Sequence, residues 1–160
     1  MIALKEVQSK EEYQIAIQLF KEYGAQIGID LSFQNFEQEL RDIHTQYARP
    51  HGILMIAYDK DKHPIGCFGI RKFADTICEL KRMYLKKEAR GKGLGKELLL
   101  ESIRLGQQLA YKHMRLDTLP SMESAIRLYK KTGFYEIEPY RYNPIKGTKY
   151  FEIQLKTESQ

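Results

Sequence analysis

The sequence predicts an α/β fold of the α+β kind. Its core is a single mixed, mostly antiparallel, twisted sheet of about six to seven strands, flanked by four helices. Three observations lead there. Short apolar stretches in the middle of the chain follow one another across turn-forming clusters, the pattern of an antiparallel meander. On either side of that meander, apolar residues recur at three- and four-residue steps, the helical period. After it, a strand, a helix and a strand follow in an order that makes the two strands parallel neighbours. A chain of 160 residues with no repeat, linker or low-complexity tract reads as one domain, 1–160.

Leu4 to Val7 can form a short first strand. Ser9-Lys10-Glu11-Glu12 has the form of a capping box, and Tyr13, Ile17 and Phe20 then share a helical face that Gly24 would end. A second helix is expected after Ser32, carrying the stripe Phe33, Phe36, Leu40, Ile43 and Tyr47. Such a stripe is either core or the lining of a cleft. Pro50-His51-Gly52 breaks the pattern. Ile53 to Tyr58 and Pro64 to Phe73 read as a hairpin around Asp59 to His63, and Thr76 to Leu85 as a third strand of the meander. Gly93 to Lys112 reads as a helix burying Leu94, Leu98, Leu105 and Leu109, followed by a strand from Met114 to Leu119. Pro120-Ser121 opens a last helix that Gly133 stops. Phe134 to Tyr140 and Lys149 to Leu155 close the chain as two strands.

Composition narrows the function. Hydrophobic content of 42% and charged content of 29% belong to a folded soluble protein. No apolar run approaches a membrane span, and the first residues lack the order of a signal peptide, so a cytoplasmic location is expected. Cys67 and Cys78 have no metal or redox spacing and fall in strands, which makes them buried thiols. The four histidines show no ligand spacing, so no metal site is expected. The net charge of +5 is concentrated: Arg71 to Lys96 holds nine basic residues against Asp75, Glu79 and Glu88, a local +6. A focused basic region favours an anionic ligand. Nucleic acid is the competing partner, but no interleaved stacking aromatics accompany the charge.

The charge centres on Arg90-Gly91-Lys92-Gly93-Leu94-Gly95-Lys96, between a strand and a helix. Alternating glycines let the backbone turn and uncover its N–H groups, and the helix start adds the positive end of its dipole. This is a phosphate cradle. A Walker loop is excluded because Glu97 stands where Ser or Thr is required. The dinucleotide fingerprint fits poorly, since the third glycine comes one residue early.

At these residues the chain resembles the GNAT superfamily of acetyl-CoA-dependent N-acetyltransferases. Arg90-Gly91-Lys92-Gly93-Leu94-Gly95 is similar to the family's R/Q-x-x-G-x-G/A loop, and Glu79 to Leu85 to its fourth strand. Ala125-Ile126-Arg127-Leu128-Tyr129-Lys130-Lys131-Thr132-Gly133-Phe134 is similar to its A-x-x-L-Y-x-x-x-G-F signature. The resemblance implies transfer of acetyl from acetyl-CoA to a primary amine by direct attack in a ternary complex, without a metal. It implies a monomer or homodimer with a small-molecule or peptide acceptor and no membrane partner. Backbone N–H groups of Gly91 to Lys96, with Arg90, would hold the pyrophosphate. The main chain of Met83, Tyr84 and Leu85 would pair with the pantetheine arm, in a gap between the fourth and fifth strands, and an N–H near Leu85 would face the acetyl oxygen. Glu79 is the expected base, or else merely pairs with Lys81 or a neighbouring arginine. Asp117 is the second candidate. Tyr129 would protonate the departing thiolate, or else packs in the core. Where many members carry Asn, this chain has Met122, and Ser124 or Ser121 is left to contact the arm. Thr118 receives no role. The basic strands, with Arg141 and Tyr142, suggest an acceptor bearing an anion, although the cradle and solvent alone could account for the charge.

A non-catalytic CoA-binding module is the alternative from another class. It would need neither Glu79 nor Tyr129.

Overall fold

The structure is a computed structural model that describes residues 2–28 and 35–156. Strands β1 (Ala3–Glu6), β2 (Ile53–Tyr58), β3 (Pro64–Ala74), β4 (Ile77–Leu85), β5 (His113–Thr118), β6 (Tyr135–Ile137) and β7 (Lys149–Gln154) form one sheet in the order β1-β2-β3-β4-β5-β7-β6. Every pairing is antiparallel except β4 with β5. The helices among the described residues are α1 (Lys10–Ile27), α2 (Phe36–Arg41), α3 (Ile43–Gln46), α4 (Leu94–Gln108) and α5 (Glu123–Thr132). None is long and apolar enough to cross a membrane. The α/β architecture and strand order expected from the sequence are found.

Strand alternation sends β2 into both halves of the core. Ile53, Met55 and Ala57 join one cluster with Leu98, Leu99 and Leu105 of α4 and Ile126 of α5. Leu54 and Ile56 join the other, with Ala16, Leu19 and Phe20 of α1 and Ile43 of α3. The sheet is therefore buried on both faces at its centre, which is why β2 reads as a continuous apolar run. On the α1 side Tyr47 lies flat against β3. A Cβ on Gly69 would come within 2.5 Å of its ring, so that position requires glycine.

The capping box forms as expected: Ser9 Oγ accepts from the Glu12 N–H, and the Glu12 carboxylate accepts from the Ser9 N–H. Three expected boundaries shift. The first helix runs past Gly24 to Ile27 and ends at Gly28, whose left-handed φ of 66° supplies the stop. The second helix is interrupted at Asp42 into α2 and α3, which makes five helices where four were expected. Its expected start after Ser32, and Phe33, lie outside the described residues. The strand expected over Phe134 to Tyr140 is only Tyr135–Ile137, because Pro139 cannot continue the ladder.

Candidate active site

The sheet opens at one place. β4 stays paired with β3 up to Leu85, opposite Gly66. Toward β5 it is paired only over Ile77, Cys78 and Glu79, opposite His113, Met114 and Arg115. β5 continues to Thr118 but pairs with β7 alone there. From Leu80 onward the two parallel strands diverge, and one edge of β4 loses its neighbour in the middle of a sheet.

The cause lies in β4 itself. Between the pairs Cys67–Tyr84 and Gly69–Lys81, two steps of β3 face three of β4, so β4 carries an extra residue. Arg82 adopts φ 57°, a left-handed conformation that costs a non-glycine residue about 1–2 kcal/mol. Bulges of this kind bend a strand and increase its twist. The side chain holds the bulge in place. Arg82 donates from Nε and Nη2 to the two carboxylate oxygens of Glu39 at 3.1 and 2.7 Å, and its guanidinium lies over the Phe36 ring at 5.1 Å. Tyr47 donates its hydroxyl to the same carboxylate at 2.7 Å. Both charges are buried. Burial alone would raise the Glu39 pKa, but Arg82 outweighs it and holds the carboxyl below its ordinary range.

Beyond Leu85 the chain makes a short 3-10 turn, Lys87–Ala89, and enters the glycine loop. Arg90 donates from Nε to the Leu85 carbonyl, tying the loop back to the strand end. Gly91 and Gly93 sit at φ 79° and 77°, with nothing within 4 Å of where a Cβ would stand. Gly93 is the N-cap of α4, and no side chain caps that helix. The N–H groups of its first turn thus face open space beside Arg90, Lys92 and Lys96, all exposed. These features fit a pyrophosphate: glycine where approach must be close, uncapped donors, and positive charge.

The gap between the strands holds a small cavity of about 30 Å³, lined by Lys81, Asp117, Thr118, Met122 and Tyr129 among others. Tyr129 is 8% exposed, with Phe134 and Phe151 rings at 5.8 and 6.1 Å. Burial pushes its phenol pKa up, so it stays protonated at neutral pH. Burial and the adjacent Arg82 push Lys81 down to about 8, against the pull of Glu79 and Asp117. The Thr118 hydroxyl is buried without a hydrogen-bond partner among the described residues.

Next to the gap lies a buried charge cluster centred on Glu79, which is 1% exposed. Its carboxylate accepts from Arg71 Nε at 3.1 Å, Arg141 Nη2 at 2.9 Å and the Tyr140 hydroxyl at 3.2 Å. Lys81 Nζ stands 3.9 Å away and also 3.7 Å from Asp117, which Arg141 Nη1 reaches at 3.5 Å. Burial would raise the Glu79 pKa, yet Lys81, Arg71 and Arg141 together hold it at about 2. On the outer side of this cluster is an open cavity of about 570 Å³, whose wall includes Gln46, Arg71, Phe73, Glu79 and Arg141.

A strand opened along one edge, followed by a glycine loop and an uncapped helix, is a family trait. The model of the GNAT acetyltransferase family matches residues 13–134. The chain belongs to the GNAT acetyltransferase family. An uncharacterized N-acetyltransferase of Schizosaccharomyces pombe is 38% identical over 154 residues, covering 96% of this chain and 93% of the relative. One from Escherichia coli is 30% identical over 125 residues, 76% of this chain and 72% of that one. Among solved structures, a GNAT acetyltransferase of Staphylococcus aureus superposes with a TM-score of 0.80 at 22% identity, covering 98% and 100% of the two chains. One from Elizabethkingia anophelis with acetyl-CoA bound gives 0.69 at 20% identity, covering 96% and 98%. As a GNAT protein the chain is an acyltransferase.

Within this GNAT framework the site residues read from the sequence fall into separate places. Met83, Tyr84 and Leu85 lie on the open edge of β4, and Arg90 to Lys96 form the loop beyond it. Tyr129 faces the gap, but the burial order within α5 is reversed from expectation. Tyr129 is buried and Leu128 only partly so. Ser124 is exposed, accepts a hydrogen bond from Arg127 and is not among the residues lining the gap, where Met122 stands instead. Glu79 shows the pairing with Lys81 and neighbouring arginines that was its alternative reading. Tyr142 is 78% exposed and is not part of the outer wall. The basic segment is not a surface stripe: Lys81 and Arg82 are buried, and Arg71 is half-buried. Sequence reasoning missed Glu39 altogether. Its signal was present, since it stands three residues after Phe36 and four before Ile43, an acid inside the apolar stripe.

Proposed function

We propose that this chain transfers the acetyl group of acetyl-CoA to a primary amine by direct attack within a ternary complex. The observation that carries the reading is the one-sided loss of the β4 ladder immediately before the glycine loop. An extended pantetheine arm can take the place of the missing strand along Met83, Tyr84 and Leu85, through main-chain hydrogen bonds that apolar side chains do not impede. Gly91 to Lys96, with Arg90, then receive the pyrophosphate. Acetyl-CoA supplies the thioester. The chain supplies the rest.

An amine bound near the gap is mostly ammonium at neutral pH and must lose a proton before it can attack. Asp117 is the carboxylate that lines the gap, held only by long contacts to Lys81 and Arg141, and is assigned as the proton acceptor, directly or through water. Glu79, pinned by several donors and held at about 2, is a weak base. Its role here is to position Arg71, Arg141 and Lys81. When the nitrogen adds to the carbonyl carbon, a backbone N–H near Leu85 stabilises the oxyanion. As the C–S bond breaks, Tyr129 gives the thiolate a proton or a strong hydrogen bond, and its raised pKa keeps that proton in place until then.

The test is titration calorimetry with acetyl-CoA, followed by a CoA-thiol release assay over a panel of amines. Binding with thiol release that depends on amine is expected. Absence of acetyl-CoA binding rejects the reading.

A further inference from the structure

The outer cavity has a chemistry of its own. Its wall carries Arg71 and Arg141, each side chain 21% exposed, and these two guanidinium groups share one carboxylate, that of Glu79. Adding the neighbours Lys81 and Asp117 gives three cations (Arg71, Lys81, Arg141) against two carboxylates (Glu79, Asp117), a formal charge of +1. The other ion pairs near the rim close one to one: Arg49 with Glu6, and Lys72 with Asp75. Arg82 and Glu39 balance each other deeper in. The excess therefore sits on the wall of a cavity of about 570 Å³ that is open to solvent, directly behind the residues that line the gap. Glutamine rather than a second acid faces Arg71 on its far side, where Nη1 donates to Gln46 at 2.9 Å. A purely structural cluster would close its own charge. This one leaves one anion's worth open.

We propose that the amine acceptor carries a carboxylate, which docks on Arg71 and Arg141 in the outer cavity while its amine is directed toward the gap. The inference rests on the acetyltransfer reading above and names its substrate class. A guanidinium presents several N–H donors in a plane and matches a carboxylate two bonds at a time, so a pair of them selects a planar anion over a neutral amide. A polycationic amine would meet the same wall as repulsion.

The experiment compares matched triads on the unmodified protein: amino acids, their carboxamides, and the decarboxylated amines, each assayed by CoA-thiol release. Charge-assisted hydrogen bonds to an arginine pair put the expected loss on removing the carboxylate at about 10- to 100-fold in kcat/KM. Arg71→Gln and the charge-conserving Arg141→Lys should each narrow that gap several-fold, while the calorimetric Kd for acetyl-CoA stays the same. A second arm needs no turnover. N-acetylated amino acids should raise Tm of the unmodified protein and do so less for Arg71→Gln. Amides or diamines turned over as well as the acids would overturn the proposal and leave acetyltransfer intact. Failure to bind acetyl-CoA would instead remove acetyltransfer itself. If no member of the triads is acetylated, the thermal-shift arm decides, and no shift with any carboxylate overturns the proposal.

Discussion

Replacing Glu79 with Gln separates a positioning role from a basic one, and the structure sets the size of the effect. The carboxyl stands at about 2 in the folded protein against an ordinary 4.5. Because the folded value is the lower, the stabilisation is fully present above pH ~4.5 and is lost as pH falls toward about 2. That separation corresponds to roughly 3 kcal/mol at pH 7, of which about 2 kcal/mol remains at pH 3.5. Glutamine keeps the shape but leaves Arg71, Lys81 and Arg141 with less compensation, and breaking a buried pair from one side costs about 3–5 kcal/mol in general. Urea denaturation at pH 7 and 3.5 measures this directly. With a slope of about 2 kcal/mol/M, the variant's midpoint should fall by roughly 1.5 M at pH 7 and by clearly less at pH 3.5. A midpoint difference that does not change with pH refutes the charge argument. Activity gives the second readout. If Glu79 only positions its partners, the variant keeps the pH dependence of kcat/KM and loses mainly acceptor KM. Disappearance of an acid limb near neutral pH would make Glu79 the base after all.

The other expectations concern the gap and the loop. Gly93→Val puts a branched side chain on a left-handed residue where the pyrophosphate is expected, and should weaken acetyl-CoA binding at least about tenfold by calorimetry. Gly28→Ala, strained in the same way at the end of α1, is the control, and unchanged binding in Gly93→Val removes the loop from the site. Tyr129→Phe keeps the ring between Phe134 and Phe151, so Tm should hardly move while kcat falls by roughly 10²-fold with little change in KM for acetyl-CoA. A kcat within about threefold of the unmodified protein removes the hydroxyl from the mechanism. Asp117→Asn should lower kcat/KM by roughly 10²-fold, and an unchanged pH profile would show that the proton leaves by another route.

Backbone requirements were legible in the sequence and side-chain partnerships were not. Gly91, Gly93 and Gly95 state a loop geometry in their own residue types, and Ser9 with Glu12 states a cap, because both are local rules. The strand order followed from turn spacing and from the one helical crossover. The end of the first helix was misplaced because glycine at position 24 is tolerated inside a helix, while position 28 needs the left-handed conformation. Glu39 and Arg82 lie 43 residues apart, and Glu79 and Arg141 lie 62 apart. Nothing local tells a charge that it will be buried, so both partnerships waited on the fold. Arg82 was especially hidden. It sits in an otherwise regular strand, and no residue-type rule places an arginine at positive φ.

That arginine joins two regions that would otherwise be independent. Its backbone makes the bulge that parts β4 from β5, while its side chain is clamped to Glu39 on α2, and through Glu39 to Tyr47. A donor that straightens or deepens the bulge therefore displaces the seat of α2, and an acceptor that draws α2 inward bears on the bulge. Coupling of this kind is reciprocal: whatever factor the first ligand adds to the affinity of the second, the second returns to the first. The two substrates of this chain would feel each other through a single side chain before any of their atoms meet.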